Sequence, residues 1–394
     1  MHKILLTFLF IFLPLTAFSQ KAFKPAKAAL KAKNFKEVIN QVGILRKDST
    51  YRDVPQLCIF SIEAQRGLND AENMKLYLKK NYDTIAFFST THQIIKEAVK
   101  LDSIERASQE KRKPKQAHFI YEQIQRYFPN LYVASRFFYK RKKFNEAMEY
   151  LQTCIDLPQT PLGKEVGISL KSESSAAALY LTAAFNAQQY AEVHRYDSLA
   201  LTDIASRLPV IECLIQTAQF EKDSVTYLKW VDTAWKEFPE QTLYFTRLID
   251  FYVARGQYDC VKRIATEQLK KDSTDASALL AKCVAELNLM NLDECIENGK
   301  LLLQVDSANV EANYYIGASY AAKALQLKLP DNALKSDYKK AHEQQKSYYR
   351  EAEPYLERYK ELAPDSKNRW APLLYKVYLG LNRGKKFAEI EKLL

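Results

Sequence analysis

From Ser174 onward, apolar and small residues fall at the same places in successive stretches of the chain. The turn signals Phe238-Pro239, Asp272-Ser273 and Asp306-Ser307 lie 34 residues apart. Units counted from Ser174, Leu208, Thr242, Ala276 and Val310 place Tyr180-Leu181, Leu214-Ile215, Leu248-Ile249, Lys282-Cys283 and Ile316-Gly317 at positions 7 and 8. Position 20 is Val193, Tyr227, Val261, Cys295 and, after an insertion, Ala352. Between the two sets stand turns such as Arg255-Gly256-Gln257-Tyr258 and Met290-Asn291-Leu292. The spacing predicts a helix, a tight turn and a second helix in every unit. Positions 8 and 20 must be small or closely packed where the helices meet, and neighbouring units must stack because one hairpin cannot bury both of its faces.

The N-terminal part follows the same plan with a looser register. Lys33-Asn34-Phe35-Lys36-Glu37-Val38 predicts a turn entering a second helix that ends near Lys47-Asp48-Ser49-Thr50. Asp83 to about Ser108 predicts one long helix with Ile94, Ile95, Ala98, Val99, Leu101 and Ile104 as its apolar stripe. Pro114 is expected to open the next helix, at a first-turn position where a missing N–H costs little. Residues 162–173, within a stretch holding two prolines and two glycines, are expected to be a break, dividing looser hairpins over 20–161 from a regular array over 174–394.

The first residues have another pattern. His2 and Lys3 precede an apolar run from Ile4 to Leu13, followed by Pro14 and by Ala17-Phe18-Ser19. That order reads as a signal peptide over 1–19, and the run is short of the ~20 residues a membrane span needs. Export is expected, to the periplasm or outer-membrane surroundings of a Gram-negative bacterium, with no later segment apolar enough to span. No cysteine follows the run, so a lipid-anchored route is not expected.

This pattern resembles the tetratricopeptide repeat. Asn313 to Tyr320 (NYYIGASY) carries Gly317 and Tyr320 at the motif's places, and in the stretch from Glu351 to Leu374 Pro364 closes one unit while Trp370 opens the next. The resemblance implies an all-α, right-handed superhelix of about ten stacked hairpins. It also implies that positions 2, 5, 9 and 12 of each first helix line a concave groove that binds peptides. Those positions point to Tyr132, Arg136 and Tyr139; Phe185 and Asn186; Glu212, Gln216, Gln219 and Phe220; Asp250; Tyr314; and Tyr375 and Tyr378. The chaperone-tail-binding subset, with lysine at position 5 and asparagine at position 9, is not matched: the five regular units have Ala178/Thr182, Glu212/Gln216, Thr246/Asp250, Leu280/Val284 and Tyr314/Ala318.

Composition agrees with a helical array. Hydrophobic residues make up 47% of 394, enough for extensive cores, while 9 glycines and 13 prolines are too few for turn-rich sheet folds. Enzymatic signatures are missing: no GxSxG, GxxxxGK[ST] or GxGxxG occurs, and His342 has no second histidine four residues on, as a zinc-protease helix needs. No catalytic residue, metal site or cofactor is expected. Six cysteines without a CxxC pair argue against structural zinc. Cys283 and Cys295 occupy positions 8 and 20 of one hairpin, so they are expected to touch and are a candidate disulfide.

The net charge of +11 is concentrated. Between Ile104 and Glu146 eleven basic residues face four acidic ones. The densest runs hold Lys111, Arg112, Lys113 and Lys115, and Lys140, Arg141, Lys142 and Lys143; both are expected in turns of consecutive units, forming one basic edge. An exported chain makes nucleic acid an unexpected partner, and the edge suits an acidic protein or anionic envelope polymer. In the unit from Val310, position 20 arrives 23 residues late. A long helical hairpin overshoots its neighbours there, with an insertion at about 324–347 and a turn at Leu329-Pro330-Asp331-Asn332. These features predict a non-catalytic scaffold of the cell envelope that binds a peptide or helix of a protein partner. A glycan-binding accessory role and an enzyme are the alternatives.

Overall fold

The computed structural model describes residues 21–107, 113–329 and 336–394. The leader-like segment, Lys111, Arg112 and most of the turn expected at Leu329–Asn332 lie outside them. The described residues form an all-α hairpin-repeat fold with twenty-one α-helices, two short 3-10 turns and no strand. The chain divides into two compact units, one up to Tyr227 and one from Leu228.

The first unit holds α1 (Lys24–Lys31), α2 (Phe35–Leu45), α3 (Pro55–Tyr77), α4 (Thr84–Ala107), α5 (Ala117–Tyr127), α6 (Pro129–Lys140) and α7 (Phe144–Asp156). After these come α8 (Pro161–Val166), α9 (Glu173–Asn186), α10 (Tyr190–Val193), α11 (Asp197–Ala200) and α12 (Arg207–Glu221). The turn into α2 is capped by the Asn34 side chain, which accepts from the Glu37 N–H. The long helix expected from Asp83 is α4, and Ile94, Ile95, Ala98 and Leu101 are fully buried in the core it shares with α5, α6 and α7.

Three expectations are corrected here. Pro114 does not open a helix: its carbonyl accepts from the Ala117 N–H in a turn, and α5 begins at Ala117. Residues 162–173 are not a break, because Thr160 caps α8 and Leu162 and Val166 are buried in the same core. Between α5 and α6 there is no turn at all. Phe128 keeps helical angles, φ −55° and ψ −42°, and Pro129, lacking an N–H, only interrupts the ladder. One interrupted helix therefore runs antiparallel to α4, with Gln116 at Glu105 and Phe137 at Phe88.

The second unit takes in most of α13 (Ser224–Glu237), then α14 (Thr242–Val253), α15 (Tyr258–Lys271), α16 (Ala276–Asn288), α17 (Leu292–Val305), α18 (Val310–Gln326), α19 (Ser336–Leu362), α20 (Lys367–Gly380) and α21 (Gly384–Glu391). The first helices begin at Thr242, Ala276 and Val310, where the period puts them, and in the first unit at Glu173 and Arg207, one residue early. Leu181, Ile215, Cys283 and Gly317 at position 8, and Val193, Val261, Cys295 and Ala352 at position 20, are buried. Ile249 and Tyr227 are only half-buried.

The backbone repeats as well. Gln188, Lys222, Gly256 and Met290, each 34 residues after the last, have φ between +58° and +66° and reverse the chain between the helices of their hairpins. Only one of the four is glycine. The second helix of the unit from Ser174 is broken into α10 and α11 at His194–Tyr196, where Tyr196 leaves helical geometry and its hydroxyl donates to Asp156 at 2.6 Å.

The late position 20 is explained by a long second arm. α18 is 17 residues long against 13 for α16, whereas α19 is 27 against 14 for α17. The overshoot is thus unequal between the arms, because Leu327 leaves helical geometry and ends the first one. The arms pack on each other: Gln345 donates to the Ala324 carbonyl and Lys323 lies over the Tyr348 ring, while the Lys323 ammonium also pairs with Asp293 of α17.

Candidate binding surface

In the first unit α9 and α12 are consecutive first helices, and their C-terminal ends lie side by side. The reversal at Gln188 brings Tyr190 back against Phe185, with ring centroids 6.1 Å apart. On the other side Tyr190 stacks on Phe220 at 4.8 Å. Phe220 is 61% exposed, a costly position for so large a ring unless something covers it. Along the same face of α12, Gln216 donates to Glu212 at 3.0 Å and Gln219 is exposed. The rim is closed by His194, with Nε2 3.5 Å from Glu221 and Nδ1 3.8 Å from Asp197. Five of the sequence-selected residues, Phe185, Glu212, Gln216, Gln219 and Phe220, therefore share one surface. Asn186 stands beside them, but its amide is held by the Thr182 carbonyl of its own helix. Flat rings flanked by amide and carboxylate groups give contact area and hydrogen bonds.

Elsewhere the selected positions separate. Tyr132 is half-buried against the core, Arg136 is exposed, and Tyr139 packs edge-on against Phe144 at 5.5 Å. Asp250 in the second unit is exposed. The remaining three aromatics are packing groups rather than groove residues. Tyr314 lies beneath the Arg369 guanidinium, 3.8 Å from its ring, and 5.1 Å from the Tyr359 ring. Tyr375 is covered by Phe387 of α21 at 4.9 Å. Tyr378 is buried, with its hydroxyl donating to Glu357 at 2.8 Å. Here α20 has α19 on one flank and α21 on the other, so the face that is open in α12 is filled.

The expected basic edge does not form as drawn. Lys113 and Lys115 adjoin Gln116, whose N–H donates to Glu105 near the end of α4. The run from Lys140 to Lys143 follows Phe137, which packs against Phe88 near the start of α4. Seventeen residues of helix, roughly 25 Å, separate Phe88 from Glu105. The missing turn between α5 and α6 is the cause, since it carries the chain from one end of α4 to the other.

Cys283 and Cys295 do touch. Each sulfur points at the other residue's carbonyl, at 3.7 and 3.4 Å, and both thiols are free. The contact with Cys295 and burial together push the Cys283 thiol up.

Two hollows were not selected from the sequence. One, about 530 Å³, runs between α4 and α7 over Ile95, Val99 and Leu157, with the Lys96–Glu149 pair at its rim. The other, about 390 Å³, lies in the second unit against Trp370, Pro364, Glu357 and Lys386. Both are lined by residues common on any helix surface, so only helix placement reveals them. Among the described residues no three His, Cys, Asp or Glu side chains converge as a metal site.

No family model and no curated protein matches the chain. Among solved structures it is similar to the C-terminal part of a TPR repeat-containing protein from Cytophaga hutchinsonii, with 11% identity, 66% of this chain and 93% of that one covered, and a TM-score of 0.39. It is also similar to the TPR2AB domain of yeast Sti1 in complex with pHSP90, with 15% identity, 78% and 96% covered, and a TM-score of 0.29. For the TPR domain of P58(IPK) the identity is 10%, the shares are 94% and 98%, and the TM-score is 0.25. Its 34-residue hairpins make this chain tetratricopeptide-like in fold.

Proposed function

We propose that the protein is a non-catalytic interaction scaffold of the bacterial cell envelope. In this reading the surface formed by α9, α10 and α12 takes an extended peptide or one helix of a protein partner. The stack of Tyr190 on the exposed Phe220, continued by Phe185, is the observation that supports it most. Rings already held against each other lose little freedom when a partner covers them, and Glu212, Gln216 and Gln219 offer hydrogen bonds beside them. The order of basic, apolar and small residues over 1–19 supports placement in the envelope.

A photo-cross-linking residue at Phe220 tests the reading in envelope preparations from the native cells. The control carries the same residue at Ile204, which is 89% exposed in the short turn that leads into the start of α12. A discrete protein adduct at 220, absent at 204 and lost when Tyr190→Ser is added, is the expected result. Equal labelling at both positions, or an adduct indifferent to Tyr190→Ser, would overturn it.

A further inference from the structure

The hairpin of α3 and α4 rises past both of its neighbours. On one side Phe35, at the start of α2, packs against Gly67. On the other, Arg126 of α5 reaches Asp70 at 3.3 Å. Beyond that level every residue from Asn73 to Lys80 is exposed, so the last turn of α3 has no buried face. These residues are not the polar ones a bare helix end calls for. Tyr77 is 82% exposed, Met74 58% and Leu78 51%, with Leu76 and Ile85 also open. The tip is nonetheless ordered: Glu72 accepts from the Lys75 ammonium at 2.6 Å and the Asp83 N–H at 2.8 Å, and Asp83 caps the Ala86 N–H.

The apolar tip is set among cations. Lys79 and Lys80 adjoin it directly. A chain of rings from Tyr82 through Phe87 and Phe88 to Phe137 ends under Arg141, whose guanidinium lies 3.7 Å from the Phe137 ring. The turn from Lys140 to Lys143 therefore stands at the same end of the unit as the tip. The acidic groups at this end are engaged: Glu72 and Asp83 as described, and Glu146 with Lys143 at 3.6 Å.

We propose that this tip dips into an anionic lipid surface, with Met74, Leu76, Tyr77 and Leu78 entering the interface and the lysines meeting the headgroups. An apolar wedge ringed by lysine and bearing a tyrosine has the chemistry of the membrane–water boundary, where lysine stems snorkel and tyrosine keeps its hydroxyl wet. A protein partner would match the apolar residues alone; the surrounding cations, spread over two hairpins, match a charged sheet. No helix among the described residues is long and apolar enough to cross a membrane, so the contact is with the surface.

The test uses the full chain with vesicles of phosphatidylglycerol and phosphatidylcholine, and with phosphatidylcholine alone. Its readout is amide exchange over residues 73–85, which reports on the tip irrespective of any other lipid contact. Exchange there should slow with the anionic vesicles only, and less in high salt. Leu76→Ser with Leu78→Ser, or Lys79→Glu with Lys80→Glu, should weaken the protection by about tenfold in vesicle concentration while leaving the melting temperature unchanged, since these side chains are exposed. Unchanged exchange, equal slowing with neutral vesicles, or slowing by protein concentration alone would each overturn the proposal, the last by assigning the tip to a second copy.

Discussion

Leu356 of α19 occupies the space that a side chain on Gly317 of α18 would need. A Cβ at residue 317 would lie 2.7 Å from Leu356 Cγ, too close for any carbon, and a tight 3.2 Å from the Leu356 backbone N. The two arms of the long hairpin approach this closely because position 8 has no side chain. Gly317→Ala is expected to destabilise the protein by about 1 to 3 kcal/mol and Gly317→Leu by more, since the backbone of α19 cannot step aside as a side-chain tip could. Thermal unfolding of both variants checks the order. Equal melting temperatures for the parent and Gly317→Leu would contradict it.

Met290 presents the opposite case, a side chain where glycine would serve better. Its φ of +60° lies in the left-handed region, and its side chain is half exposed, so it contributes little packing in return. Gly256 fills the equivalent place one unit earlier. Met290→Gly is therefore expected to raise stability by about 0.5 to 1 kcal/mol, read as a higher denaturant midpoint at unchanged slope. A lower midpoint would show that the Met290 side chain packs more than its exposure indicates.

Arg369 joins two successive first helices. Its guanidinium grips Glu311 through two bonds, at 2.7 and 2.8 Å, and covers the Tyr314 ring. The pair is about one-third exposed, so its worth is modest despite the geometry. Arg369→Lys, which keeps the charge and loses the fork and the flat face, should cost about 1 kcal/mol. In a double-mutant cycle with Glu311→Gln the coupling should exceed about 0.5 kcal/mol. Strictly additive effects would remove the pair from the account of how these hairpins are joined.

The regular part of the fold was legible because its constraint is local. A hairpin of fixed length must put a small or well-packed residue at each helix contact, so Leu181, Cys283 and Gly317 mark position 8 and Val261, Cys295 and Ala352 mark position 20 without any knowledge of the stacking. Where the chain departs from that length, the same reasoning misleads. Pro114 reads as a helix start but lies in a turn, and the helix after it continues through Pro129, which carries the run from Lys140 to Lys143 to the other end of α4. The candidate surface was half legible for a related reason. Position within a helix tells which way a side chain faces, but not whether another element covers it. Phe220 stays open on α12 while Tyr375, also selected by its place in a first helix, is covered by α21. The tip of α3 escaped notice because MKLYLKK is apolar enough to pass for an ordinary buried helix, and only its neighbours' lengths show that nothing reaches it.

The six thiols should separate by burial when the folded chain is treated with a small alkylating reagent. Cys58 and Cys154 are buried, and burial pushes each up to about 12. Cys283 and Cys295 are enclosed between helices. Cys213 and Cys260 are both half-buried, and burial pushes Cys213 up to about 11. Cys260 is expected to label first and Cys213 next, with the other four protected until unfolding. Mass spectrometry of tryptic peptides reads the order. Early labelling at Cys283 would mean that the helix pair opens readily, and a mass deficit of two hydrogens joining its peptide to that of Cys295 would show the bridge formed.

Acid should act on the first unit through His92. The imidazole is buried against Tyr150, with ring centroids 4.3 Å apart, and Nε2 lies 3.1 Å from the Thr153 hydroxyl. Burial, with a smaller push from Lys96 and an opposing pull from Glu149, lowers its pKa from 6.5 to about 4. The unfolded chain therefore takes up a proton on this ring at a higher pH than the folded one, and stability falls as pH drops through 6.5, levelling off below about 4. Between pH 7 and pH 5 the loss from this group is on the order of 2 kcal/mol. His92→Gln cannot take up that proton and can still meet Thr153. It is expected to be less stable than the parent at pH 7, through poorer packing on Tyr150, but to lose less stability on going to pH 5. Chemical unfolding of both proteins at the two pH values gives the comparison directly. Parallel losses would place the acid sensitivity in the carboxylates and leave His92 a packing residue alone.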